Sequence, residues 1–226
     1  MATPTMKPLL ECQKCPALRA QFKRLRVQYP EYWNRPVPAH GPEDSPLLIV
    51  GLAPGLKGAN RTGVPFVGDA SGAMLTKVLK RLNGLDQVRI TNAVKCLPRN
   101  NKPSGLEVKR CRPYFEADLF ESVEWRLDKP PQALIRRDTA AEGPMGQPRH
   151  TVYFALGRVA HDEVVRAFGF KLSALPFKHG ARHRLAKDVW LYDSYHCSRY
   201  NVQTGRMTET MLHNVLRRAL KQAGIS

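Results

Sequence analysis

The sequence predicts an α/β fold, a three-layer α/β/α arrangement around a mainly parallel central sheet, and three observations carry that prediction. Short apolar runs of strand length alternate along the chain with longer segments of helical periodicity. Strands alternating with helices imply parallel neighbours with both sheet faces covered. The 226 residues are 42% apolar, enough to build one core, so a single domain over residues 1–226 is expected.

The elements follow in order. Residues 1–45 hold a short Cys-bearing, helix-like segment and then a Pro-rich stretch from Tyr29 to Pro46. Leu47-Leu48-Ile49-Val50 reads as a buried strand that stops at Gly51, and a Gly-rich loop runs on to Gly72. From there a helix carries Met74, Leu75, Val78, Leu79 and Leu82 on one face, with Lys77, Lys80 and Arg81 off it, and Asn83-Gly84 ends it. Further expectations are a strand at Val88–Thr91, a helix over 107–124, a strand at Thr151–Leu156 and a helix at Val159–Phe168. A strand at Val189–Tyr195 and a last helix over about 208–222 complete the alternation. The segment 126–150, with its Arg136-Arg137 pair and several prolines, reads as a mobile surface insertion. In open α/β sheets ligands bind beyond the carboxyl ends of the strands. Gly51–Gly55, Asn92, Gly157 and His196 each follow a strand and should converge there.

Thirty-six Lys and Arg against nineteen Asp and Glu leave a formal charge of +17. That excess repels itself in a compact fold and suits a phosphate backbone as partner. No apolar run approaches the roughly 18 residues that a membrane span needs, and no secretory segment opens the sequence. A cytoplasmic, nucleoid-associated protein with no membrane partner is expected. Its cysteines should then stay reduced.

Cys12-Gln13-Lys14-Cys15 is a close pair, and Cys96 and Cys111 form a looser one that flanks the basic stretch Leu97–Arg110. Four thiolates suit zinc or an iron–sulfur cluster, and spacing does not choose between them. Cys197, beside His196, is left out of that set.

Several blocks now fall into a familiar order. They are Gly51-Leu52-Ala53-Pro54-Gly55, Gly58 to Gly63, Pro65-Phe66-Val67-Gly68-Asp69-Ala70-Ser71-Gly72, Thr91 to Cys96, His179-Gly180, and Tyr195 to Ser198 followed by Asn201 and Thr204-Gly205-Arg206. Together they resemble type 5 uracil-DNA glycosylases over most of the chain. Type 4 relatives carry Glu where Leu52 stands here, so type 5 is the better match. Two departures are the long 126–150 segment and Cys197, where the family usually has Pro. A relative that traps its product covalently would carry an insert after Cys96 that is missing here.

The resemblance implies an α/β/α glycosylase that hydrolyses the N-glycosidic bond of uracil in DNA, and of other deaminated bases such as hypoxanthine, without strand cleavage of its own. It implies a [4Fe-4S] cluster on Cys12, Cys15, Cys96 and Cys111, and a monomer that acts on DNA. Such chemistry builds positive charge on the sugar and negative charge on the leaving base, which must first leave the stack. His196 is then the donor to the base oxygen, and Asp69, the one carboxylate in the Gly51–Gly72 loop, orients water and offsets the sugar charge. The plainer reading of Asp69 is a helix cap. Asn92 offers an amide to the base edge. Phe66 offers a stacking face, worth about 1–3 kcal/mol in comparable sites. Gly51, Ala53 and Gly55 let backbone approach the ligand. Ser198, Arg199, Tyr200 and Asn201 are expected to enter the minor groove, while Lys95, Arg99 and Lys102 grip phosphates. The rival is a non-catalytic nucleic-acid-binding protein with an iron–sulfur or zinc site. A small-molecule enzyme that uses the Gly-rich loop for a nucleotide lacks the G-x-G-x-x-G or G-K-[ST] spacing.

Overall fold

A computed structural model describes residues 9–120 and 147–225 of the chain. Helix α1 (Pro16–Gln28) starts with Pro16, whose fixed φ suits the first helical turn, directly after Cys15. Strand β1 is Leu47–Gly51. A short helix α2 (Ala59–Thr62) and a longer α3 (Ala70–Arg81) follow. Next come β2 (Arg89–Asn92), α4 (Gly105–Leu119), β3 (Val152–Leu156) and α5 (Arg158–Ala167). The chain ends with β4 (Arg182–Ala186), β5 (Val189–Ser194), α6 (Arg199–Gln203) and α7 (Glu209–Gln222).

The five strands lie in the order β2-β1-β3-β5-β4. β1 pairs in parallel with β2 and β3, and β3 with β5; only β4 runs antiparallel, on the edge beside β5. Strand side chains alternate between faces, which builds the three layers. Leu47, Ile49 and Phe154 pack with Leu75, Val78 and Leu79 of α3 and with Leu212, Leu216 and Leu220 of α7. Leu48, Val50 and Tyr153 pack on the other face with Phe115 of α4 and Val164 and Val165 of α5. The expected α/β/α class with a mainly parallel sheet is therefore the observed one.

Two boundaries move for local reasons. α3 begins at Ala70, because the Asp69 carboxylate caps it and accepts from Gly72 N at 2.9 Å. α4 begins at Gly105, two residues before the expected start, because Ser104 and Glu107 close a reciprocal capping box. The far end of its expected range, 121–124, lies outside the described residues.

The insertion expected over 126–150 also lies outside them from 126 to 146. Its last residues correct that reading. Arg149 N donates to Leu119 O at 2.8 Å, and the His150 ring is buried between Ser45 O at 2.6 Å and Asp118 O at 3.2 Å. Residues 149 and 150 are the anchored approach to β3. Among the described residues no helix is long and apolar enough to cross a membrane.

Candidate functional site

The carboxyl ends of β1, β2, β3 and β5 face one edge, and the polar residues of their loops meet there. Gly51 is the hinge of the arrangement. A Cβ at this position would lie 2.4 Å from Asn92 Oδ1 and 2.5 Å from Phe66 Cε2, so only glycine admits both side chains. Phe66 has φ +55°, a conformation that a bulky residue rarely holds without compensation. Its ring centroid stands 6.0 Å from that of His196. Asn92 is 3% exposed, and its amide makes no side-chain hydrogen bond among the described residues. Its donors and acceptor are therefore uncommitted and open to a ligand at this edge.

Asp69 does two things at once. One oxygen caps α3; the other faces the glycine loop, where a Cβ on Gly58 would sit 2.2 Å from Oδ2 and one on Gly55 would sit 3.3 Å away. The cap therefore leaves the second oxygen turned toward the glycine loop. Ala53 lies between Gly51 and Gly55, partly buried.

His196 follows β5 in a loop held by side chains. Asn201 Nδ2 donates to the His196 carbonyl at 2.8 Å, and Tyr195 N donates to the His179 ring at 3.1 Å. Burial pulls the pKa of the His196 ring below its ordinary value, while the negative charge of Asp69 opposes the shift. Burial thus favours the neutral imidazole, which still has an N–H to donate. On its outer flank lies a cavity of about 370 Å³, lined by Leu52, Gly157, Arg158, Lys178, His196 and Arg206 among others.

On the far side of β2, Cys12, Cys15, Cys96 and Cys111 surround a second cavity of about 210 Å³. All four are free thiols, and burial raises the pKa of Cys15, Cys96 and Cys111. Lys95 N donates to Cys111 Sγ at 3.2 Å. Among the described residues only His161, His183 and Asp193 place three or more ligand atoms within 4.8 Å of one another. Four thiols around a cavity fit a multinuclear centre, whose positive charge would offset the cost of burying thiolates.

The expected DNA contacts divide. Arg99 and Lys102 are exposed beside the cysteine loop, and Arg199 and Tyr200 are exposed on α6. Ser198 and Asn201 use their side chains internally, Ser198 as the cap of α6 and Asn201 on His196. Lys95 is a correction. It is fully buried, ion-paired with Asp118 and bonded to Thr91 Oγ1 at 2.5 Å, so it reaches no phosphate. Its carboxylate partner sits on α4, too far along the chain for any spacing rule to suggest. Sequence reading also passed over Arg158 and Lys178, and treated Arg206 only as part of a motif. Their common signal is that each follows or precedes a glycine or lies one residue from one after a strand or turn.

Comparison with known proteins identifies the family. Residues 38–123 match the family described as the Uracil DNA glycosylase superfamily. The type-5 uracil-DNA glycosylase of Thermus thermophilus is 38% identical over 97% of this chain and 97% of its own length. That of Mycobacterium leprae is 37% identical, covering 95% of this chain and 92% of its own. Among solved structures, that of Pedobacter heparinus SMUG2 is a distant likeness at 14% identity and a TM-score of 0.45, over 80% of this chain and 77% of that one.

Proposed function

The chain belongs to the type-5 uracil-DNA glycosylases, and from that premise we propose that it excises uracil and other deaminated bases, hypoxanthine among them, from DNA by hydrolysis alone. The observation that carries this reading is the meeting of Asn92, Phe66, Asp69 and His196 around Gly51 and Gly58.

A base rotated out of the stack places its ring on Phe66 and its edge against the free Asn92 amide. The neutral His196 ring donates to the base oxygen as negative charge grows there, a contribution that preorganised donors make at about 10²–10³-fold each. Asp69, through the oxygen not engaged in capping α3, orients a water and offsets the positive charge on the sugar.

We also propose that Cys12, Cys15, Cys96 and Cys111 hold a [4Fe-4S] cluster. When bound, such a centre supplies a fixed positive core that ties α1, the loop after β2 and α4 together. Arg99 and Lys102 ride on that loop and are placed to meet phosphates, as Arg199 and Tyr200 are from α6.

The test is incubation with labelled duplex carrying one U opposite G, with strand breaks developed by alkali, beside the His196→Ala variant and a U-free duplex. Breaks that need uracil, His196 and alkali are expected. Breaks without alkali would overturn hydrolysis alone, and an inert wild type on both uracil and hypoxanthine duplexes would leave a non-catalytic DNA-binding protein.

A further inference from the structure

Six Lys and Arg side chains are matched to acids among the described residues. Lys77 and Arg81 both reach Glu209 at 2.7 Å. Arg112 and Arg166 both reach Glu163, at 3.0 and 2.6 Å. Arg89 lies 3.8 Å from Glu43, and Lys95 holds Asp118. Arg158, Lys178 and Arg206 have no ion pair among the described residues, yet all three line the same cavity, and no acidic residue lines it with them.

They come from three separate segments, and each is held in place. The Arg158 guanidinium lies over the Phe177 ring at 5.3 Å and that of Arg206 over the Tyr195 ring at 4.8 Å. Tyr195 is itself stacked on His179, with centroids 5.0 Å apart. The turn that presents Lys178 is pinned to β5: Gly180 N donates to Asp193 O at 2.8 Å, and Ala181 N to Lys178 O at 2.9 Å. The buried Asp193 carboxylate in turn binds the rings of His161 at 2.7 Å and His183 at 3.1 Å. All three residues are exposed, so a phosphate can reach them. The cavity wall also includes residues 157–160, where α5 begins without a side-chain cap after Gly157 at φ +97°. His196 closes the inner side.

We propose that Arg158, Lys178 and Arg206 form a phosphate site that holds the backbone of the damaged strand next to the flipped nucleotide. This rests on the glycosylase reading above, and it moves the main grip on the damaged strand from the cysteine loop to the His196 flank. Guanidinium groups over aromatic rings are oriented before the phosphate arrives, so little ordering is left to the binding step. A strand anchored here fixes the sugar against His196 and Asp69.

The experiment measures binding to duplex with an uncleavable tetrahydrofuran abasic site, against intact duplex, across a potassium chloride series. Arg158→Ala/Arg206→Ala should make the slope of log affinity against log salt shallower by about 1.8, at about 0.9 per phosphate contact. Affinity for the abasic duplex should fall about tenfold or more. Lys178→Ala by itself should make the slope shallower by about half as much. Arg158→Lys/Arg206→Lys, which keeps the charges, should restore most of the slope. The charge-matched control Arg182→Ala/Arg184→Ala, on the exposed edge strand, should change it far less. Equal effects from the two alanine pairs, or no effect from the first, would overturn the site. A wild type inert on uracil that still shows these slopes would instead sink the glycosylase reading and leave the phosphate site standing. Active wild type with an unaltered Arg158→Ala/Arg206→Ala variant would sink this inference alone.

Discussion

Two loops leave the carboxyl edge of the sheet beside the candidate site, one after β2 and one after β5, and they are held in different ways. After β2 the main chain continues almost as a strand: Ala93 N donates to Gly51 O at 2.9 Å and Val94 N to Leu52 O at 3.0 Å. Residues 91–95 are all buried, and Lys95 is tied to Asp118 from inside. After β5 the hold passes to side chains, through His179 to Tyr195 N and through Asn201 to the His196 carbonyl, with the Cys197 thiol reaching Ser71 O at 3.4 Å. The first loop presents Asn92, the proposed reader of the base; the second presents His196, the proposed donor. A reader gains from a position that nothing short of unfolding can move. A donor held by side chains can be adjusted by single substitutions that leave the fold intact. Stability effects should therefore concentrate on the first loop and rate effects on the second.

The sharpest way to break that contrast is Lys95→Met. Removing one partner of a buried pair leaves Asp118 uncompensated and should cost about 3–5 kcal/mol in a urea melt with metal content matched. Lys95→Met/Asp118→Leu should recover part of it. A loss under about 1 kcal/mol would show that the pair does not hold the first loop. Gly51→Ala comes next. Its new methyl meets Asn92 and Phe66 head-on, and displacing either by about 1 Å should cost about 10²-fold in single-turnover excision. Its melting penalty should stay within the about 1–3 kcal/mol typical of overpacking.

On the second loop Asn201→Ala removes one hydrogen bond, worth about 1 kcal/mol. Excision should slow about five- to tenfold with the melt nearly unchanged; a large stability loss would erase the distinction between the loops.

The smallest effect is in the pH profile. Burial favours the neutral His196 ring, so excision should hold through neutrality and fall only on acidification, with a midpoint below about 6.5. The Asp69 charge favours the cation, so Asp69→Asn should move that midpoint lower still, whatever it does to the maximal rate. An acid limb centred above 6.5 would contradict a neutral donor.

Much of the fold was legible because apolar periodicity is a local property. Leu47–Val50 and the Met211–Leu220 stripe announce their elements directly. β4 did not, because Arg182-His183-Arg184-Leu185-Ala186 lies on an edge and buries one side chain, Leu185, so it shows no apolar run. α6 escaped for the same reason: it buries none of its residues and exists through its Ser198 cap. Asp69 could be read as cap or as site residue; the structure shows the cap on one oxygen and leaves the other facing the glycine loop. The four cysteines were legible as a set.

The sequence by itself determined the strands, the helix faces and the turn residues at the strand ends, because hydrophobic burial and backbone sterics act over a few neighbouring residues. Only the tertiary structure decided which of the many cations are used and how. Lys95 and Lys178 look alike in the sequence, but one is neutralised inside the protein by Asp118 and the other stands unpaired at the cavity of His196. Coulomb attraction and desolvation depend on distances between groups far apart along the chain, and those distances exist only once it has folded.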